Sequence, residues 1–208
     1  MDLGRPHRLI AHPLDGSVLA VLSATTRPLT GREVARLAPE GSQPGISKAL
    51  GRLADEGLVS RQEAGNALLY QLNRDHLAAP AAELLAGLRS VLIARLREEL
   101  TDWAIQPVHA SIFGSAARGD GDTSSDIDLL VIRPADVADD EPHWRAQLDG
   151  VTDSIRRWTG NPASVSELSE ADVERLARER PPVIEALATD AITLIGPDAS
   201  RLFRGNYK

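Results

Sequence analysis

Two short groups of residues, Gly114-Ser115 and Asp126-Ile127-Asp128, are separated by ten residues and have side chains suited to phosphate chemistry. Asp126 and Asp128 alternate in an apolar stretch typical of a strand, so both carboxylates point to one face. A carboxylate pair, together with substrate phosphates, suits Mg²⁺. A Gly-Ser turn before a helix offers backbone N–H groups to an anionic phosphate. The spacing therefore predicts a site that holds a metal ion and a triphosphate.

The elements that must position these residues alternate between strands and helices. Strand patterns cover residues 108–113, 127–132, 163–168 and 192–195, and helical patterns cover 116–119, 142–158, 170–180 and 182–189. This succession predicts an α+β fold with a mixed sheet flanked by helices.

The segment SIFGSAARGDGDTSSDIDLLVI, residues 111–132, resembles the DNA polymerase β-like nucleotidyltransferase superfamily, most of all its minimal and antitoxin-type members. The segment PVIEALATDAITLIGPD, residues 182–198, resembles the usual end of these small domains. The resemblance implies that Asp126 and Asp128 hold Mg²⁺ (or Mn²⁺) and that Gly114 and Ser115 hold phosphate. It also implies that Arg118 adds positive charge beside a nucleoside triphosphate.

The third strand departs from the pattern of this family. The family implies a third carboxylate there, and this chain has Val165-Ser166-Glu167-Leu168, with Ser166 in the expected position. Glu167 is the candidate catalytic acid, but strand alternation turns it to the other face unless a bulge or a one-residue shift intervenes. Without a third acid, we expect the chain to bind nucleotide and metal but to transfer slowly or not at all.

The first third of the chain carries a different pattern. Three short helices and two strands are predicted over residues 14–72, and the segment SQPGISKALGRLADEGLVSRQ resembles the winged helix-turn-helix of MarR- and ArsR-like regulators. That resemblance implies a helix in the major groove of double-stranded DNA. The candidate DNA contacts are Gln43, Ser47, Lys48, Arg52 and, from the wing, Arg61. A protein-interaction module is the alternative for this fold.

The apolar pattern of residues 81–103 predicts one long helix that connects two domains. Leu85, Leu88, Leu92, Leu96, Leu100 and Trp103 are spaced by three or four residues and so lie on one stripe. The stripe suits either packing against the chain's own domains or the seam of a homodimer. The predicted organisation is a winged helix over 1–76, a connector over 77–105 and a nucleotidyltransferase-like domain over 106–208.

Composition limits the classes of protein to which this chain can belong. It has 208 residues, a net charge of −7 and no cysteine, which excludes disulfides, thiolate metal sites and a cysteine nucleophile. Residues 1–76 carry nine basic and eight acidic side chains, whereas residues 77–208 carry 14 and 22. No apolar run reaches the ~18 residues of a membrane span, and the first 16 residues lack a signal core. We therefore expect a cytoplasmic protein with no membrane partner.

Three hypotheses remain open from the sequence. The missing acid favours a DNA-binding transcription regulator whose second domain binds Mg-nucleotide and is weakly active or vestigial. The intact Gly114-Ser115 and Asp126–Asp128 spacing favours an active transferase that moves a nucleotide from a triphosphate to a protein or small-molecule acceptor. In the third hypothesis, both domains are interaction modules, as in an antitoxin that neutralises a protein partner by contact.

Overall fold

The computed structural model describes residues 13–179 and 182–203. Residues 1–12, which include most of the segment tested above for a signal core, residues 180–181 and residues 204–208 lie outside the description. The chain divides into two compact units, with the division between Arg89 and Ser90. Within the described ranges, no helix is long and apolar enough to cross a membrane.

The N-terminal unit, through Arg89, is built from short helices and a small antiparallel sheet. Its elements are α1 (Pro13–Ser23), β1 (Leu29–Thr30), α2 (Gly31–Leu37), α3 (Gln43–Asp55), β2 (Val59–Ala64), β3 (Ala67–Leu72) and α4 (Ala79–Ala86). The strand order is β1-β3-β2. The predicted helices and the hairpin are thus present, and β1 is an additional strand.

Two caps explain where the inner helices of this unit begin. The Thr30 side chain accepts a hydrogen bond from the Glu33 backbone, and the Glu33 side chain accepts one from the Thr30 backbone, which completes a capping box at α2. The Ser42 side chain accepts from the Gly45 backbone at 3.3 Å and caps α3, whose first turn tolerates Pro44. Ile46 and Leu50 of α3 are then fully buried in the core of the unit.

The predicted long connector over residues 81–103 is two helices, α4 and α5 (Leu88–Thr101). The break falls at Gly87, whose backbone N–H donates to Glu83 O at 2.9 Å and to Leu84 O at 3.2 Å. Glycine is a weak helix former because its backbone loses the most freedom on ordering, which favours a break at this position. The second half of the apolar stripe is buried in the core of the C-terminal unit and consists of Leu92, Leu96, Leu100 and Trp103. This half is therefore not the seam of a dimer.

The C-terminal unit, from Ser90, contains a four-stranded mixed sheet in the order β6-β5-β4-β7. After α5 its elements are β4 (His109–Phe113), α6 (Gly114–Arg118), β5 (Ile127–Arg133), α7 (Pro142–Thr159), β6 (Ala163–Ser169), α8 (Glu170–Glu179), α9 (Pro182–Asp190), β7 (Ile192–Ile195) and α10 (Ala199–Phe203). Only β5 and β6 pair in parallel, and the intervening helix α7 makes the crossover that parallel pairing requires. The predicted mixed sheet flanked by helices is confirmed.

Alternation along β5 assigns its side chains to the two faces of this sheet. Leu129 and Val131 belong to the core that contains α5 and α7. Leu130 and Ile132 belong to a second core that contains residues of α8, α9 and α10. Asp128 has the same parity as Leu130 and therefore lies on the second face.

Candidate functional site

Gly114, the first of the predicted site residues, begins α6 directly after the end of β4. Its φ is +65°, a conformation that side chains other than glycine rarely adopt. A Cβ atom at this position would also overlap the carboxylate of Asp128. The backbone conformation therefore favours glycine, and the Asp128 carboxylate lies directly against the Gly114 backbone.

The two aspartates lie at the start of β5. Asp126 immediately precedes the strand, and Asp128, its second residue, pairs with Phe113 of β4. Asp126 is exposed and Asp128 is half-buried. Burial and the negative charge of Asp126 raise the pKa of Asp128, and the positive charge of Arg118 opposes that shift. The two carboxylates therefore repel each other, and a cation between them would relieve the repulsion.

Ser115 places its hydroxyl next to the loop that leads to Asp126. Its carbonyl accepts hydrogen bonds from the backbone N–H of Gly119 at 2.8 Å and of Asp120 at 3.1 Å. A Cβ atom on Gly121 would lie only 2.9 Å from Ser115 Oγ, so the loop backbone passes close to the hydroxyl. The structure thus brings Ser115 and Asp126 to the lining of one narrow cleft.

Arg118 lies at the end of α6 and is already paired with carboxylates. Its Nε donates to Asp120 Oδ2 at 3.0 Å, and its Nη1 is 3.6 Å from Asp190 Oδ2. Both acids raise the pKa of the guanidinium, Asp120 the more. Asp190, at the end of α9, was not predicted, because nothing in the local sequence indicates its approach to α6. The exposed guanidinium can exchange these partners for phosphate oxygens.

Asn161, which lies between α7 and β6, was not predicted from the sequence. Asn161 is 1% exposed, and its side-chain amide donates to the carbonyl oxygens of Asp122 and Ser125. Those carbonyls belong to the loop that ends at Asp126. The cluster Gly160-Asn161-Pro162 is a turn signal in the sequence, but it does not indicate which segment the amide contacts.

The structure does not bring Glu167 to the aspartates. The β5–β6 register is continuous, with Asp128 opposite Ser164 and Val131 opposite Glu167, so neither the bulge nor the shift considered above occurs. Glu167 therefore lies on the sheet face opposite to Asp128, where it accepts hydrogen bonds from Trp144 and Arg133. Ser166 is exposed on the Asp128 face and carries no charge.

The donor set at the cleft fits a hard divalent cation with few protein ligands. Among residues 13–179 and 182–203, no group of three or more histidine, cysteine, aspartate or glutamate side chains could hold a metal ion. Mg²⁺ usually keeps several water ligands and binds one or two carboxylates together with substrate phosphates. Asp126 and Asp128, which repel each other when both are ionised, meet that requirement.

The candidate DNA contacts in the N-terminal unit are exposed, but one of them already forms an ion pair within the unit. Gln43, Ser47, Lys48 and Arg52 are all exposed on α3, as are Pro44 and Asp55. Arg52 forms an ion pair with Asp15 of α1. Arg61 is exposed on β2 opposite Tyr70, away from the buried end of that strand.

Residues 93–176, within the C-terminal unit, match the family model of the nucleotidyltransferase domain. No curated protein matches the chain. Two solved structures are similar to it: a mutant of the toxin-antitoxin MntA-HpeT, at 17% identity and a TM-score of 0.37, and a toxin-antitoxin with AMP-PNP, at 18% and 0.36. In both cases the similarity covers 53% of this chain and 79% of the other chain.

Proposed function

We propose that the C-terminal unit is a metal-dependent nucleotidyltransferase that moves a nucleoside monophosphate from a nucleoside triphosphate to a protein or small-molecule acceptor. The observation that carries this proposal is the contact between the Gly114 backbone and the Asp128 carboxylate, with Asp126 close enough to raise the pKa of Asp128. The contact brings Gly114 and Asp128, one from each half of the predicted motif, side by side. The match of residues 93–176 to the nucleotidyltransferase domain supports the same chemistry.

The residues of the cleft have separate roles in this proposal. Asp126 and Asp128 hold Mg²⁺, which when bound neutralises phosphate charge and orients the triphosphate. The Ser115 hydroxyl donates to a phosphate oxygen, and Arg118 releases Asp120 and Asp190 to pair with the triphosphate. An acceptor oxygen then attacks the α-phosphorus, the bond to the β-phosphate oxygen breaks, and pyrophosphate leaves.

The acceptor must lose a proton during this reaction, and among the described residues no third carboxylate joins Asp126 and Asp128 in a group that could hold a metal ion. Ser166, where the resemblance implies an acid, carries no charge, and Glu167 lies on the opposite face with Trp144. The proposed enzyme therefore binds nucleotide normally and transfers slowly, unless the acceptor is already ionised or supplies its own base.

Calorimetric titration of the full chain with Mg-ATP and Mg-GTP tests the proposal. We expect binding that depends on Mg²⁺ and is lost in Asp128→Asn. Asp149→Asn removes the same charge from an exposed position on α7 and serves as the matched control, which retains binding. Pyrophosphate release is then measured with the nucleotide that binds. Folded wild-type protein that binds neither nucleotide would overturn the proposal.

We propose, as a second function, that the N-terminal unit is a winged helix that binds double-stranded DNA. The specific observation in its favour is the order of α2, α3 and the β2–β3 hairpin, with polar side chains exposed on α3. Lys48 and Arg61 would contact phosphates, whereas Gln43 and Ser47 would face base edges. Arg52 contributes less in this proposal, because it must first leave Asp15.

Selection from a randomised duplex pool, followed by titration at several salt concentrations, tests the DNA proposal. Lys48→Ala and Arg61→Ala should each weaken binding and reduce the salt dependence by about one ion. Arg27→Ala is the control, because it removes an equal charge that is already paired with Glu33. No enriched sequence, or equal losses for all three variants, would contradict a reading surface on α3 and the hairpin.

A further inference from the structure

Asn161 is held rigidly at the end of α7. Gly160 ends the helix in the left-handed conformation, with φ of +76° and its N–H donating to Arg156 O at 2.8 Å. The Thr159 hydroxyl donates to Ile155 O at 2.7 Å and accepts from the Asn161 backbone N–H at 3.1 Å. The backbone of Asn161 is thus fixed to the helix before its side chain makes any contact.

The side-chain amide of Asn161 donates both of its hydrogen bonds to the backbone of a single loop. Nδ2 donates to Asp122 O at 3.0 Å and to Ser125 O at 2.9 Å, at the two ends of a four-residue turn. The turn is also closed from within, since Asp122 Oδ1 accepts from the backbone and the hydroxyl of Ser124. These bonds lower the pKa of Asp122, which keeps its carboxylate ionised as an acceptor. The loop is therefore a small rigid body attached to Asn161.

Asp126 is anchored on both sides by this arrangement. On one side, Ser125 O accepts from Asn161. On the other, the backbone N–H of Ile127 donates to Pro162 O at 2.9 Å, which begins the parallel pairing of β5 with β6. Asp126 thus has both neighbours bonded to the dipeptide Asn161-Pro162.

We propose that Asn161 is a positioning residue that sets the place of Asp126 relative to Asp128, and so sets the affinity of the cleft for a divalent cation. This inference rests on the proposed function, because it assigns Asp126 to the metal. Mg²⁺ and Mn²⁺ demand close-fitting oxygen ligands, and groups that orient a metal ligand typically change affinity by ~10–100-fold when removed. Without the amide, the carbonyls of Asp122 and Ser125 also lose this donor and the turn reorganises.

Titration of the full chain with Mn²⁺, followed by electron paramagnetic resonance of the free ion, tests the inference. We expect Asn161→Ala and the similarly sized Asn161→Leu, which lacks the amide donors and adds no charge, to weaken Mn²⁺ binding by roughly tenfold or more. Gln147→Ala is the matched control: the Gln147 amide also makes two hydrogen bonds to backbone in this unit, both to Ile105 at 3.0 Å. It should lower thermal stability comparably and leave Mn²⁺ affinity unchanged.

Hydrogen exchange without metal separates this inference from the proposed function. Asn161→Ala should speed exchange of the backbone amides of Ser125 and Ile127 by tenfold or more, and Gln147→Ala should not. Exchange at the wild-type rate at these two amides would overturn the positioning role, and so would unchanged Mn²⁺ affinity. The role would also be overturned if both Asn161 variants failed to fold while Gln147→Ala still melted cooperatively. Faster exchange in Asn161→Ala, with no Mn²⁺ binding by the wild type, would overturn the proposed function and retain Asn161 as the anchor of the loop.

Discussion

The indole Nε1 of Trp144 donates a hydrogen bond to Glu167 Oε1 at 3.0 Å, and this bond joins α7 to β6. Arg133 of β5 donates to the same oxygen at 2.8 Å, and Arg145 donates to the other at 2.9 Å. Glu167 is therefore the centre of a network that spans two strands and a helix. That network explains why an acid stands beside Ser166 without taking part in the cleft.

Replacing Glu167 by Gln should reduce stability and leave the cleft intact. The change leaves the largely buried Arg133 without its charged partner, which costs about 2 kcal/mol in the free energy of unfolding. Arg145 is half exposed, so Arg145→Gln should cost less than about 1 kcal/mol. Urea unfolding measures both. Loss of Mg-nucleotide binding in a stable Glu167→Gln protein would contradict this role.

Replacing Ser164 by Asp should add a third carboxylate beside Asp128. Ser164 is exposed and lies opposite Asp128 in the β5–β6 register, whereas Ser166 lies opposite Leu130, two residues further along β6. We expect pyrophosphate release to rise by about tenfold, less than the ~100-fold or more of an evolved base. Ser164→Asn is the uncharged control of equal size. If both variants behave alike, the missing acid is not what limits transfer.

Replacing Asp128 by Asn should stabilise the metal-free protein. The raised pKa of Asp128 means that ionising this carboxyl is unfavourable in the fold, because of burial and the charge of Asp126. Removing the charge should therefore raise the free energy of unfolding by about 0.5–1 kcal/mol at neutral pH. The wild type should gain stability on adding Mg²⁺ and the variant should not. Thermal melts with and without Mg²⁺ decide this, and a destabilised variant would show that the aspartates do not repel.

The parts of the fold that follow from local periodicity could be predicted from the sequence. Alternation predicted the strand β5 that contains Asp128, although Asp126 immediately precedes it, and Gly114 marked the turn beside Asp128. The strand β1 and the helix α10 have two and five residues, too few for a period to be visible. The break at Gly87 was missed because the apolar stripe continues across it, although α4 and α5 belong to different cores.

The relationships that depend on tertiary contact could not be predicted. Asn161 acts on a loop 36 and 39 residues earlier in the chain, and no spacing in the sequence links them. Asp190 reaches Arg118 only because α9 packs near α6. Strand alternation predicted that Glu167 lies on the sheet face opposite to Asp128. Its partners Arg133 and Trp144 lie 34 and 23 residues away in the sequence, so these hydrogen bonds could not be predicted.

His109 should make the C-terminal unit sensitive to mild acid. Its ring is fully buried in β4, Nδ1 donates to Pro197 O at 2.8 Å, and Nε2 has no hydrogen-bond partner among the described residues. Burial lowers the pKa of His109, against weaker opposing effects of Pro197 and Asp198. The unfolded ring binds a proton near pH 6.5, so stability is fully present above that value and is lost as the pH falls through the lower folded pKa.

Between about pH 6.5 and 5 the carboxyls whose pKa is lowered in the fold, such as Asp172 at about 2, stay ionised, whereas Asp128 and Glu99, whose pKa is raised, contribute equally in the wild type and in the variants compared here. Replacing His109 by Phe should flatten the stability of the unit across that window, as measured by urea unfolding at half-unit steps. His143→Gln, a change at an exposed ring paired with Glu141, should retain the wild-type slope. A slope that persists in His109→Phe would mean that another group carries the proton uptake on unfolding.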